Sequence, residues 1–244
     1  MRTIAMMSLL LAAPVQAQVA PPAEPAKTSI TTTYAVPLAG EALGKEWRAN
    51  YPDAADQKNS AEGAKALMAI VSACEGYARP NLRVIAARDA AEFERALAKS
   101  GDGTPTEWLD MVCPRAAKDI AFIAIENRLD PEVALKRLTQ ASRWAPLWPD
   151  VHIEHGYLLG QLKRYDEALD EYRQAIALAN DAGDKPVLAM AWRGIGFQLS
   201  ELQKWNEARA AYRQSLDIEP GNKLATDELA WIDEQDPAGA TPAP

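Results

Sequence analysis

The chain has 244 residues, with 26 Lys and Arg against 34 Asp and Glu, a net charge of −8, and 48% hydrophobic residues. Such an acidic balance lacks the basic footprint that displaces counterions from a phosphate backbone, so no nucleic-acid partner is expected, and cationic or neutral partners are favoured. Beyond the N-terminal apolar run, no stretch approaches the roughly eighteen apolar residues that span a bilayer, so no integral membrane segment is expected after signal removal.

The first residues read as an export signal. Arg2 supplies the positive start, Ile4 to Ala13 the apolar run, and Val15-Gln16-Ala17 a small-x-small cleavage site. A signal peptide at 1–17, cut after Ala17, predicts a periplasmic or secreted protein one unit more negative than the precursor. No cysteine follows the cut, so no lipid anchor is expected.

Residues 18–58 carry Pro21, Pro22, Pro25, Pro37 and the Thr31-Thr32-Thr33 run, a composition that buries too little apolar surface to offset chain entropy. A flexible tether is expected here, with Trp47 and Tyr51 as the residues able to dock on a folded body. A helical segment is expected over 59–114. From Ser60, Ala64, Leu67, Met68, Val71 and Cys74 fall at helical spacing and end before Pro80. Phe93, Ala96 and Leu97 form a second stripe that stops at Gly101-Asp102-Gly103. A third short piece, Thr106 to Val112, presents Trp108, Leu109 and Val112.

Cys74 and Cys113 are the only cysteines. In an oxidising compartment a disulfide between them is expected, closing a loop that would stabilise by about 4 kcal/mol on the chain-entropy model. Two separate thiols are the alternative, and no Cys-x-x-Cys redox motif is present.

From 115 to 235 the pattern is periodic. Helices are predicted at 115–127, 131–143, 149–162, 166–179, 186–203 and 206–217, with Asp130, Asp166 and Asn206 as caps and Pro131 and Pro186 in first turns. Small and aromatic residues return in step: Ala134, Leu138, Ala141, Pro146; then Ala168, Tyr172, Ala175; then Ala208, Tyr212, Ser215, Pro220. Steps of 34 and 40 residues between Ala134, Ala168 and Ala208 mark an array of helix pairs, each burying one face against its neighbours. Strand signals are nearly absent, so the fold class is all-α. Leu224, Leu229, Ala230 and Trp231, interspersed with acids, predict a half-polar helix closing the array, and 236–244 reads as a disordered Pro/Ala tail. Trp144 and Trp148 are expected in the core between the first two units.

Three units align, at 115–148, 149–182 and 189–222. The last contains Trp192, Ile195, Gly196, Leu199, Trp205, Ala208, Tyr212, Ser215, Leu216 and Pro220; the middle one His152, His155, Gly156, Leu159, Tyr165, Ala168, Tyr172, Ala175 and Ile176. This pattern resembles the tetratricopeptide repeat family. The first unit departs from it at Phe122, where a small residue is usual, and at Lys118, where a bulky apolar one is. The resemblance implies a right-handed superhelix whose concave wall comes from the first helix of each pair. The partner-facing side chains would then be Asp119, Ile123 and Asn127, then Ile153, Tyr157 and Gln161, then Arg193, Phe197, Ser200 and Glu201. Family members that clamp a terminal carboxylate use several Lys, Arg and Asn on this wall. Here only Asn127 and Arg193 can serve, which disfavours that mode. Mixed character along the groove points to an extended peptide or partner helix, with Tyr157 and Phe197 as anchors.

Catalytic residues are not expected. No Gly-x-Ser-x-Gly elbow, phosphate loop or dinucleotide fingerprint occurs, and no histidine lies outside positions 152 and 155. His152, Glu154 and His155 are the only cluster with metal-ligand chemistry, but they sit where the repeat expects packing residues, so no metal or other cofactor is expected. Acid pairs such as Asp166/Glu167 and Asp170/Glu171 read as a solvated face and not a glycosidase pair. The expected function is an exported helical-repeat adaptor or scaffold that binds a protein or peptide in its groove for cell-envelope assembly or organisation. The alternative is a small-molecule or metal-binding accessory subunit of an envelope enzyme, with the N-terminal helical part forming a lidded pocket.

Overall fold

Helix pairs stacked side by side make up most of the computed structural model, which describes residues 44–77 and 79–239. The expected signal peptide, residues 18–43 of the expected tether and residues 240–244 of the expected tail lie outside the described residues. Among the described residues, no helix is long and apolar enough to cross a membrane.

The described part of the tether is folded. Helix α1 (Lys45–Arg48) and helix α2 (Tyr51–Asp56) lie against the body. The Tyr51 hydroxyl donates to Asp119 Oδ2 at 2.7 Å, and the Trp47 ring meets Tyr77 edge-on with centroids 5.7 Å apart. These contacts order a stretch whose composition alone reads as flexible. Helix α3 (Ala61–Glu75) starts where Ser60 accepts from the Gly63 N–H, and buries Leu67, Ile70, Val71 and Cys74. Met68, expected on that stripe, is exposed instead, as is Leu97 on the next helix. Cys74 is bonded to Cys113, tying α3 to α5 (Val112–Glu126) across 39 residues of sequence.

Between them is an element the periodicity did not announce. β1 (Arg83–Ala86) and β2 (Thr106–Leu109) pair in parallel, Ile85 opposite Trp108 and Ala86 opposite Leu109. The short piece expected over Thr106–Val112 is thus a strand followed by the start of α5. Helix α4 (Ala90–Ser100), capped by Asp89, makes the crossover. The two-residue alternation sorts the strands cleanly: Ile85 and Trp108 pack with Phe93 and Ala96 of α4, while Ala86 and Leu109 enter the main core.

The repeat region follows as α5, α6 (Pro131–Trp144), α7 (Pro149–Gln161), α8 (Tyr165–Ala182), α9 (Lys185–Glu201) and α10 (Trp205–Ile218), closed by α11 (Lys223–Gln235). Asp130 caps α6 as expected. Asp166 and Asn206 do not cap: α8 and α10 begin one residue earlier, and the two side chains sit in their first turns. Asp184 and Asn222 cap α9 and α11 without a signal in the repeat spacing, accepting from the Val187 and Ala225 N–H groups.

The turn inside each pair repeats almost atom for atom. Arg128, Lys163 and Gln203 take positive φ of 52°, 59° and 56°. The next residue's N–H reaches back to Ala124, Leu159 and Leu199 carbonyls at 2.9 Å in all three turns. These are 6→1 closures that satisfy the carbonyls left open at a helix end. The first unit therefore shares the turn of the other two, and counting back from Arg128 puts buried Ala121, not Phe122 as the sequence spacing suggested, at the small-residue position of Gly156 and Gly196.

Ala134, Leu138, Ala141, Ala168, Ala175, Ala208 and Tyr212 are fully buried, with Tyr172 nearly so. Trp144 and Trp148 are buried in the same core. At the far end the Arg209 guanidinium, 1% exposed, bonds to Asp233 and Asp236 carboxylates at 2.8 Å and to the Asp236 carbonyl at 2.6 Å. This latch holds α11 and the 3₁₀ turn Pro237–Gly239, so residues 236–239 of the expected disordered tail are ordered.

Candidate functional site

Among the described residues the first helices approach one another, most closely α7 and α9 and more lightly α5 and α7, whereas any contact of α6 with α8 or of α8 with α10 is slighter. Closer spacing of the first helices than of the second makes the face they line the inner side of the curve. Counted back from the shared turns, one row on that face is Phe122, Tyr157 and Phe197, with Lys58 Nζ 4.5 Å from the centroid of the Phe122 ring, and Ile123 lies one residue out of register with it.

The expected wall residues divide by their surroundings. Ile123 and Tyr157 are half-buried, and Asn127, Gln161 and Glu201 are exposed. Burial, then the charges of Glu126 and Glu154, push the Tyr157 phenol upward in pKa, so it stays a neutral hydroxyl. Five expected wall residues, Asp119, Ile153, Arg193, Phe197 and Ser200, are buried. Three of them have internal partners that explain this. Asp119 accepts from Tyr51, with Lys58 Nζ at 3.9 Å. Arg193 donates to Ser215 at 2.9 Å and Glu219 at 2.6 Å, joining α9 to the end of α10. The Ser200 hydroxyl donates to the Gly196 carbonyl at 2.9 Å. The sequence places these residues on the correct helix but cannot show that neighbouring elements engage Asp119 and Arg193. Lys118, unusual for the repeat, has a role the sequence does not reveal: its ammonium lies 3.4 Å from Glu154 Oε1 and ties α5 to α7.

The histidine cluster dissolves. Glu154 turns to Lys118, while His152 and His155 both reach Glu171 on α8 through Nδ1, at 2.6 and 3.0 Å. Burial raises the Glu171 carboxyl, but hydrogen bonds and charge from the two imidazoles outweigh it and hold the pKa near about 2. Among the described residues, no group of three or more His, Cys, Asp and Glu is placed to hold a metal ion.

A family model described as tetratricopeptide repeat matches residues 150–219. The chain contains tetratricopeptide repeats. The matched stretch runs from the start of α7 to the end of α10, two full repeats, and the shared turn chemistry at Arg128 extends the array to the pair α5–α6. No curated protein matches the sequence. Among solved structures, the first repeat domain of Spaghetti (RPAP3) bound to HSP90 peptide SRMEEVD is 23% identical, with TM-score 0.45, covering 50% of this chain and 91% of that one. A crystal structure of MamA protein is 15% identical, with TM-score 0.49, covering 80% and 85%. The Sgt2 repeat domain from Aspergillus fumigatus is 18% identical, with TM-score 0.45, covering 54% and 85%. At these scores none of them supplies a residue role here.

Proposed function

We propose that the chain is an exported helical-repeat adaptor that holds a protein or peptide segment along the inner face of α5, α7 and α9, serving assembly or organisation in the cell envelope. The observation that carries this reading is Tyr157. It is a large aromatic left half-exposed in the middle of the inner row, with half-buried Phe122 at the equivalent point of α5 and exposed Glu126 and Gln161 one turn further along their helices. Partially exposed aromatics with polar rims are the side chains that anchor partners most strongly. Exposed Glu126 and Glu201 around the row favour a segment that offers apolar contact together with basic side chains. A non-catalytic role follows the same reading, and so does export, on the N-terminal charge and cleavage pattern.

Affinity capture from an envelope extract tests it. Tyr157→Ala is expected to keep wild-type helical content by circular dichroism and to weaken capture at least about tenfold, the scale of an aromatic hot spot. Equal capture by wild type and variant would remove the groove from the account.

A further inference from the structure

We propose that the cleft where β1 and β2 end is a binding site for a small organic oxyanion, a carboxylate or a phosphate ester, gripped by Arg88 and Arg115. The two strands are parallel and finish side by side at Ala86 and Leu109. With α4 as the crossover between them, the edge beyond their carboxyl ends is the place where parallel α/β units leave room for ligands. A cavity of about 330 Å³ opens there, lined by Arg48, Tyr51, Arg88, Trp108, Asp110 and Arg115 among others. That is at the lower end of the roughly 300–1,000 Å³ of small-molecule sites.

The charges single out the ligand. Arg48 and Asp110 pair with each other. Arg88 is held by Glu92 at 2.5 Å, with Asp184 at 4.0 Å, which restricts its guanidinium in the cavity wall. Arg115 is exposed and has no ion-pair partner among the described residues. Asp119, one turn along α5, is engaged by Tyr51 and Lys58. The Asp110 carboxylate also takes the first free N–H of α5, from Val112, at 2.9 Å. Arginine forks match the planar or tetrahedral oxygens of carboxylates and phosphates. An uncommitted guanidinium beside a fixed one, over a floor that includes Trp108 and Met111, suits an anion with a small apolar body. This site sits where the strands meet the start of α5, the first helix of the array, and is argued without reference to the groove.

Thermal-shift titrations of the full chain with succinate and with inorganic phosphate, at ionic strength matched with sodium chloride, test the site. At least one anion is expected to raise the wild-type midpoint, since a ligand stabilises the form it binds. Response to succinate alone assigns a carboxylate, and response to phosphate alone a phosphate ester. Arg115→Ala is expected to keep the unliganded midpoint, because it breaks no ion pair, and to weaken binding about tenfold. Arg173→Ala, an exposed arginine paired with Asp170 on α8, is expected to respond as wild type does. No shift with either anion, or equal affinity in wild type and Arg115→Ala, would overturn the proposal.

Discussion

The phenol ring of Tyr172 lies between two glycines from different repeats. A methyl group at Gly156 on α7 would come within 3.0 Å of the ring, and one at Gly194 on α9 would run into it. Tyr212 stands in the same relation to Gly196 one repeat later. The helix interior would gain about 1 kcal/mol from Gly→Ala on propensity alone, yet overpacking a filled site costs about 1–3 kcal/mol and is expected to win here. Gly194→Ala should therefore lower stability in urea denaturation; a rise would show that the ring has room to move. Gly156 and Gly196 were recognisable from the repeat spacing, but Gly194 was not, because its clash is with a tyrosine from the preceding unit. The same limit applies to Glu171. Its acid-pair neighbours read as a solvated face, and only the fold brings two histidines from another helix to it. Its folded pKa of about 2 lies below the ordinary 4.5. The stability it contributes is therefore complete above about pH 4.5 and lost as pH falls toward 2. Glu171→Gln should be about 1–2 kcal/mol less stable than wild type at pH 5.5, with the gap closing by pH 2–3. A gap that does not change with pH would contradict the pairing.

At the scale of elements, the turns inside the three pairs place Arg128, Lys163 and Gln203 in the left-handed region. A side chain there costs about 1–2 kcal/mol, and glycine avoids that cost while adding some unfolded-state entropy. Gln203→Gly should raise stability by about 0.5–1 kcal/mol in chemical denaturation, whereas Gln203→Val should lower it. A destabilised glycine variant would mean that the side chain does more than cap the turn. The disulfide is a second element-scale device, linking α3 to α5. Replacing both cysteines with alanine should cost about 3–4 kcal/mol on the chain-entropy model, seen as a lower melting midpoint; an unchanged midpoint would show that packing alone holds the two helices. The periodic helices were legible because 3.6-residue spacing persists over many turns. The two strands were not, since four residues each leave only two alternations, and Trp108-Leu109 reads equally well as helix. The folding of α1 and α2 was hidden for a different reason: their order comes from Tyr51 and Arg48 meeting Asp119 and Asp110, about 60–70 residues away in sequence.

The described residues form a helix-pair array closed at one end by α11 and joined at the other to α1–α4 with their small parallel sheet. Its curvature follows from the closer approach of α5, α7 and α9, and it gives the inner face a shape fit to receive an extended segment. The array itself was readable from the ladder of small and aromatic residues, since each rung is buried by the neighbouring unit. The inner wall was only partly readable, because Arg193 and Asp119 are engaged by neighbours that composition does not reveal. Placing a photo-crosslinking side chain at position 157, and separately at position 173 on the opposite face, tests the central claim most directly. The groove account predicts a discrete crosslinked partner from 157 and none from 173. Crosslinks from 173 without any from 157 would contradict it.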